Sequence, residues 1–158
     1  MTATNGTASK TILCPVDFSP ASERALVHAA ERHAHDAELI VLHVGSPDAG
    51  DPGLLLKEQL HHFSRYSDML SAYRCNVRFS VEYGSPADII IDQAGRHDAE
   101  LIVLASHGSN NISRLLVGST TEAVMRRAGC PVLVLKSPAV AGAGIAPAGA
   151  AVLSTTND

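Results

Sequence analysis

A chain of 158 residues, with 12 Lys and Arg against 16 Asp and Glu for a formal charge of −4, suits one ordinary domain and carries no dense basic run able to track a phosphodiester backbone. Hydrophobic residues make up 46% of it without a single Trp, so a folded core must be built from Leu, Val, Ile and Ala. No apolar run reaches the roughly 20 residues of a membrane-spanning helix, the polar start MTATNGTASK has no hydrophobic signal segment, and Cys14, Cys75 and Cys130 lie far apart within apolar runs, so the expectation is a cytoplasmic protein with buried, reduced thiols.

Residues 1–9 are expected to be a flexible start and 10–136 the folded domain. Strand signals recur as TILCPVD (Thr11 to Asp17), ELIVLHV (Glu38 to Val44), NVRFSVEY (Asn76 to Tyr83), ELIVLAS (Glu100 to Ser106) and PVLVLK (Pro131 to Lys136). Between the first two, Ser19-Pro20 marks a helix start, a capping side chain followed by proline at the first helical position, and Ser85-Pro86 repeats the device. Leu56, Leu60, Phe63 and Leu70 recur at helical steps and predict an apolar face on a second helix. Ser119-Thr120-Thr121-Glu122 has capping-box spacing for the last helix, which Gly129 is expected to close. From Ser137 to Asp158 the chain is rich in Ala, Gly and Pro without periodicity and is expected to be a disordered tail.

Alternating strands and helices predict an α/β fold, a Rossmann-like doubly wound parallel sheet of five strands with helices on both faces. Val77, Phe79, Val81 and Tyr83 alternate with polar residues, which assigns the third strand to an edge. The fifth, apolar on both faces, would expose bare backbone at the other edge; pairing through Val132 to Leu135 with a second copy would cover it, so a homodimer is expected.

In such sheets ligands sit beyond the carboxyl ends of the strands where strand order reverses, here between strands one and four. Asp17, Phe18 and Ser19 end the first, and Ser106, His107 and Gly108 the fourth. Gly118, Ser119 and Thr120 deliver the chain to a helix whose first amides lack intrahelical acceptors, a setting that favours phosphate oxygens. Asp17 across the crevice would accept hydrogen bonds from sugar hydroxyls or an exocyclic amine. Ser-x-x-Glu by itself also reads as a plain helix cap with no ligand.

At these residues the chain resembles the universal stress protein family. The family pattern is Gly, two residues, Gly, nine residues, Gly and Ser or Thr; here Ala105 takes the place of the first glycine, followed by Gly108, Gly118 and Ser119. Val16-Asp17-Phe18-Ser19, LIVLHV, Gly84-Ser85-Pro86-Ala87-Asp88 and CPVLVLK extend the match over about Lys10 to Lys136. The resemblance implies strand order 3-2-1-4-5, dimerisation through the last strand, and ATP with Mg²⁺ or Mn²⁺ as ligand of a stress-response regulator. It further implies that Pro15, Val16 and Asp17 contact adenine and ribose with Val44 beside the base, while Leu104, Ala105, Gly108, Gly118, Ser119 and Thr120 surround sugar and phosphates. If the backbone at Ala105 needs positive φ, alanine disfavours it; otherwise its methyl narrows the pocket. Asn110 and Asn111 stand in the loop where glycine is common.

Three other readings compete. An Asp17–His107 acid-base pair would make an enzyme, but no G-x-S-x-G elbow or GxxxxGK[ST] loop accompanies it, which leaves slow ATP hydrolysis at most. The eight histidines lack the spacing of a metal site. A dimeric scaffold without nucleotide is the third.

Overall fold

The computed structural model describes residues 10–106, 118–136 and 150–153. The expectations for residues 1–9, for His107, Gly108, Asn110 and Asn111, and for most of the tail lie outside the described residues. Five parallel strands, β1 (Thr11–Val16), β2 (Glu38–Gly45), β3 (Asn76–Tyr83), β4 (Leu101–Ala105) and β5 (Val132–Leu135), lie in the order 3-2-1-4-5. The helices are α1 (Pro20–Arg32), α2 (Pro52–Leu70), α3 (Pro86–Arg96) and α4 (Ser119–Arg127). α1 and α2 cover one face, where Ile12, Cys14, Leu39, Val41 and Val103 meet Leu26, Phe63, Tyr66 and Leu70. α3 and α4 cover the other, packing Ile90, Ala94 and Val124 on Leu13, Ile40, Leu42 and Ile102. Burial pushes the Cys14 thiol up to about 12, so it is a core filler without thiolate chemistry at neutral pH.

The octapeptide HDAELIVL occurs twice, at 35–42 and 97–104. Both copies hold the aspartate in a left-handed conformation, Asp36 at φ 54° and Asp98 at 49°, which Asp tolerates better than most residues. The glutamates then join the two sides of β1, Glu38 N–H donating to Lys10 O at 2.8 Å and Glu100 N–H to Thr11 O at 2.9 Å. The repeat thus builds β2 and β4 as the two flanks of the central strand.

Ser19 caps α1 as its sequence suggests, its hydroxyl accepting from the Ser22 amide at 3.2 Å with Pro20 at the first helical position. Ser85 occupies the equivalent place on α3 without a side-chain cap bond. Gly129 does not close α4 in a left-handed turn; the helix ends at Arg127 and Ala128 leaves in an extended conformation.

The buried stripe of α2 matches expectation at Phe63 and Leu70 and differs at Leu56 and Leu60. Gln59, Phe63, Tyr66 and Leu70 face the sheet, while Leu54, Leu56 and Leu60 are each more than half exposed. Apolar residues on several sides of the first turns leave the buried face undetermined locally, and the fixed positions of Phe63 and Tyr66 decide it.

The far edge also differs. Residues 150–153 form a short strand, β6 (Ala150–Leu153), antiparallel to β5, where the sequence suggested only disordered tail. β5 is therefore flanked on both sides within one chain. Its open backbone edge is the physical reason a late segment can pair there despite weak strand propensity.

Candidate functional site

On its β2 side β1 is in register over six pairs, from Thr11↔Glu38 to Val16↔His43, but its ladder with β4 is Ile12↔Leu101 and Leu13↔Ile102. Pro15 has no N–H to donate, and beyond Leu13 the two strands run on to Val16 and Ala105 without further ladder pairs. Continuing the register sets Asp17 opposite Ser106. The strand order reverses direction at this seam, so a crevice between the ends of β1 and β4 is where a doubly wound sheet takes a ligand.

The β1–α1 turn is built to hold Asp17. Its Oδ1 accepts from the Ser19 amide at 3.0 Å, and its own amide donates to Ser22 Oγ at 3.3 Å. This turn leaves the exposed carboxylate with further acceptor capacity toward solvent. Phe18, next in the chain, takes φ 65°, a costly conformation for a bulky residue. Its ring lies between two imidazoles, His43 and His62, with centroids 4.2 Å away on each side and interplanar angles of 24° and 8°. His43 Nδ1 sits 3.0 Å from Val16 O and donates to it, which fixes that tautomer. Stacking from β2 and α2 thus stabilises the strained residue that aims Asp17 outward.

Across the seam, the end of β4 is stitched to the start of α4. Gly118 N–H donates to Ser106 O at 2.7 Å, Ser106 N–H to Leu135 O at 2.8 Å, and Thr121 Oγ1 to Ala105 O at 2.9 Å. The N-cap is Gly118, at φ −60° and ψ 154°, with no side-chain cap bond, so Ser119 is the first helical residue. The capping-box reading therefore fails: Glu122 instead pairs with Arg126. The first turn of α4 has no side chain capping its amides, the arrangement that accepts an anion.

The structure sorts the ten residues expected at the site. Val44 and Leu104 belong to the sheet face covered by α3 and α4, the side from which α4 starts. Val16 and Ala105 point their side chains into the opposite core, against α1 and α2, so only their backbones border the seam. Ala105 is ordinary strand without positive φ, and its methyl packs in that core; the two concerns raised by the missing glycine do not arise at this position. Pro15 is buried in β1, Asp17 is exposed at its end, and Gly118, Ser119 and Thr120 form the start of α4. Gly108 lies outside the described residues. Sequence reasoning missed Phe18, His43, Ser22 and Thr121 as positioning groups. Each acts on a partner far along the chain, apart from Ser22, whose place five residues after Asp17 in a capped helix start is the one local signal.

Among the described residues no group of three His, Cys, Asp or Glu side chains is arranged to hold a metal ion, and no helix is long and apolar enough to cross a membrane. At the opposite, amino-terminal edge of the sheet a shallow hollow of about 400 Å³ is lined by Asp36, Glu38, Arg74 and Cys75. Its charges are already paired, Arg74 with Asp36 at 3.3 Å and Glu38 with Arg78 at 3.6 Å, which leaves little to recognise a ligand.

Burial, partly offset by Glu58, lowers the pKa of His62 from 6.5; His28 and His33 are lowered chiefly by burial as well. The unfolded chain then binds more protons than the folded one below 6.5, so this stability is present above that pH and is lost as pH falls through it toward the folded values. Thermal unfolding is expected at a lower temperature at about pH 5.5 than at about pH 7.5. His62→Phe, which keeps a ring against Phe18, should flatten the dependence; an unchanged slope would show that His62 does not contribute.

A parallel α/β sheet wound on both sides, whose β1–β4 ladder stops short of the carboxyl ends and whose α4 starts without a side-chain cap beside β4, defines a Rossmann-like domain. The chain matches the model of the universal stress protein family over residues 8–136, and it belongs to that family. A universal stress protein of Methanocaldococcus jannaschii is 32% identical over 141 residues, covering 82% of this chain and 83% of its own length. The solved universal stress protein UspA from Lactobacillus plantarum is 34% identical with a TM-score of 0.62, covering 80% and 97% of the two chains. Two more distant structures share the fold: a universal stress protein in complex with cAMP, at 23% identity and TM-score 0.63 over 81% and 97%, and an Arabidopsis thaliana family member with AMP bound, at 18% and 0.58 over 79% and 90%.

Proposed function

We infer that this chain is a stress-response regulator that binds an adenine nucleotide, ATP with Mg²⁺ or Mn²⁺, at the β1–β4 seam and works as a dimer paired through Val132 to Leu135. The observation that carries the reading is the α4 start, where the Gly118 amide is tied to Ser106 O at the end of β4 and the amides of Ser119 and Thr120 have no side-chain cap. Uncapped amides and the Ser119 and Thr120 hydroxyls fit phosphate oxygens. Asp17, with one oxygen engaged by the Ser19 amide, fits hydroxyls at the nucleoside end, and Val44 offers an apolar wall for the base. AMP and cAMP in relatives of the same fold support an adenine nucleotide. A divalent ion would arrive on the phosphates, and no residue is assigned a catalytic role.

The test is whether purified protein carries the ligand. Denaturing the protein and chromatographing the supernatant should release adenine nucleotide, and ATP with Mg²⁺ added to stripped protein should raise its Tm. No released nucleotide together with no thermal shift would favour a scaffold of the same fold.

A further inference from the structure

β5 has more to lose from an open edge than any other strand at the rim of the sheet. Val132, Leu133 and Val134 are buried, and β4 satisfies only one of the strand's two backbone edges. The other is taken by β6, with Val132 opposite Leu153, Leu133 opposite Val152, Val134 opposite Ala151 and Leu135 opposite Ala150. That ladder spans the whole of β5 and leaves no backbone position for another strand. β6 also lies beyond residue 136, where the match to the family domain ends. The strand that closes the edge thus lies outside the stretch matched to the family.

We propose that β6 is an intramolecular plug, occupying in cis the β5 edge through which a second copy would pair and holding the chain as a monomer until it is displaced. The proposal rests on the dimer surface named in the functional reading, not on nucleotide binding. Covalent attachment through residues 136–149 gives β6 an effective concentration on the order of millimolar, whereas separate copies at micromolar concentration compete for the same edge at a disadvantage of roughly a thousandfold. The plug is nonetheless weak by composition, since half of it is alanine, a residue depleted in strands, while β5 is Val-Leu-Val-Leu. Tethering favours the closed form, and residue choice keeps it displaceable.

The test uses the full chain and a double variant, Ala151→Pro with Val152→Pro. Successive residues of a strand turn their N–H groups to opposite sides, so one of the two prolines removes a donor to β5 whichever way the ladder is phased. Both changes lie outside 10–136, and circular dichroism confirms that the domain is intact. In nucleotide-free protein, sedimentation equilibrium should give the variant a dimer dissociation constant lower by roughly tenfold or more than that of the wild type. Amide hydrogen exchange at Val132 to Leu135 should be slow in the wild-type monomer. Two dimers with equal constants, or fast exchange at β5 in the monomer, would overturn the plug and leave the dimer reading standing. Two monomers would remove the dimer reading and the plug together. ATP binding measured on both chains separates either failure from that of the nucleotide site.

Discussion

Gly118→Val is expected to weaken adenine-nucleotide binding by about 10- to 100-fold while the domain stays folded. Gly118 caps α4 at φ −60° and ψ 154°, an extended conformation open to valine, and its amide bond to Ser106 O survives the substitution. The branched side chain, however, lies over the amides of Ser119 and Thr120, and hydrogen bonds to a charged group are worth about 1.5–3 kcal/mol each. Isothermal titration with ATP and Mg²⁺ measures the loss, and circular dichroism confirms the fold. A variant with wild-type affinity would place the phosphates elsewhere.

Leu13→Ala should lower unfolding free energy by about 2–5 kcal/mol, a large share of the 5–15 kcal/mol typical of a domain. Leu13 is fully buried at the centre of the sheet, in the cluster formed with Ile40, Ile102 and Ile90. Strands hold it on both sides, opposite Ile40 on β2 and Ile102 on β4, so the surroundings cannot collapse into the void. The urea midpoint should fall with an unchanged m-value. A loss below about 1 kcal/mol would mean that the core rearranges more freely than a β-sheet interior should.

The five parallel strands were legible within a residue or two because each is an apolar run bounded by polar or turn-forming residues. Alternation alone assigned β3 to an edge. The α2 face was legible only in part: Phe63 and Leu70 are buried as expected, but Leu54, Leu55, Leu56 and Leu60 spread around the helix, and the structure buries Gln59 in place of Leu56 and Leu60, its amide 3.5 Å from the Tyr83 hydroxyl. The Phe18 turn was not legible, since no glycine marks its positive φ and the two imidazoles that support it come from β2 and α2. Of the proposed site, the sequence located the turn at Asp17 after β1 and the start of α4 after Gly118, both marked by local residue patterns. The capping box misled because the hydroxyl that anchors this end is that of Thr121, bound to a carbonyl sixteen residues earlier.

The repeated octapeptide HDAELIVL separates what each level of structure decides. Both copies hold the aspartate left-handed and lead into a strand beside β1, at Glu38 and at Leu101, although the Asp36 amide donates to Arg74 O and the Asp98 amide to Gly95 O. Its surroundings are not written in it. One copy follows α1, which packs on one face of the sheet, and pairs outward with β3; the other follows α3 on the opposite face and pairs outward with β5. Sequence by itself therefore determined strands, helix starts and family. Tertiary structure decided which helix face is buried, how Phe18 holds a strained turn and what covers β5, because each of those depends on contacts between segments that no local pattern brings together.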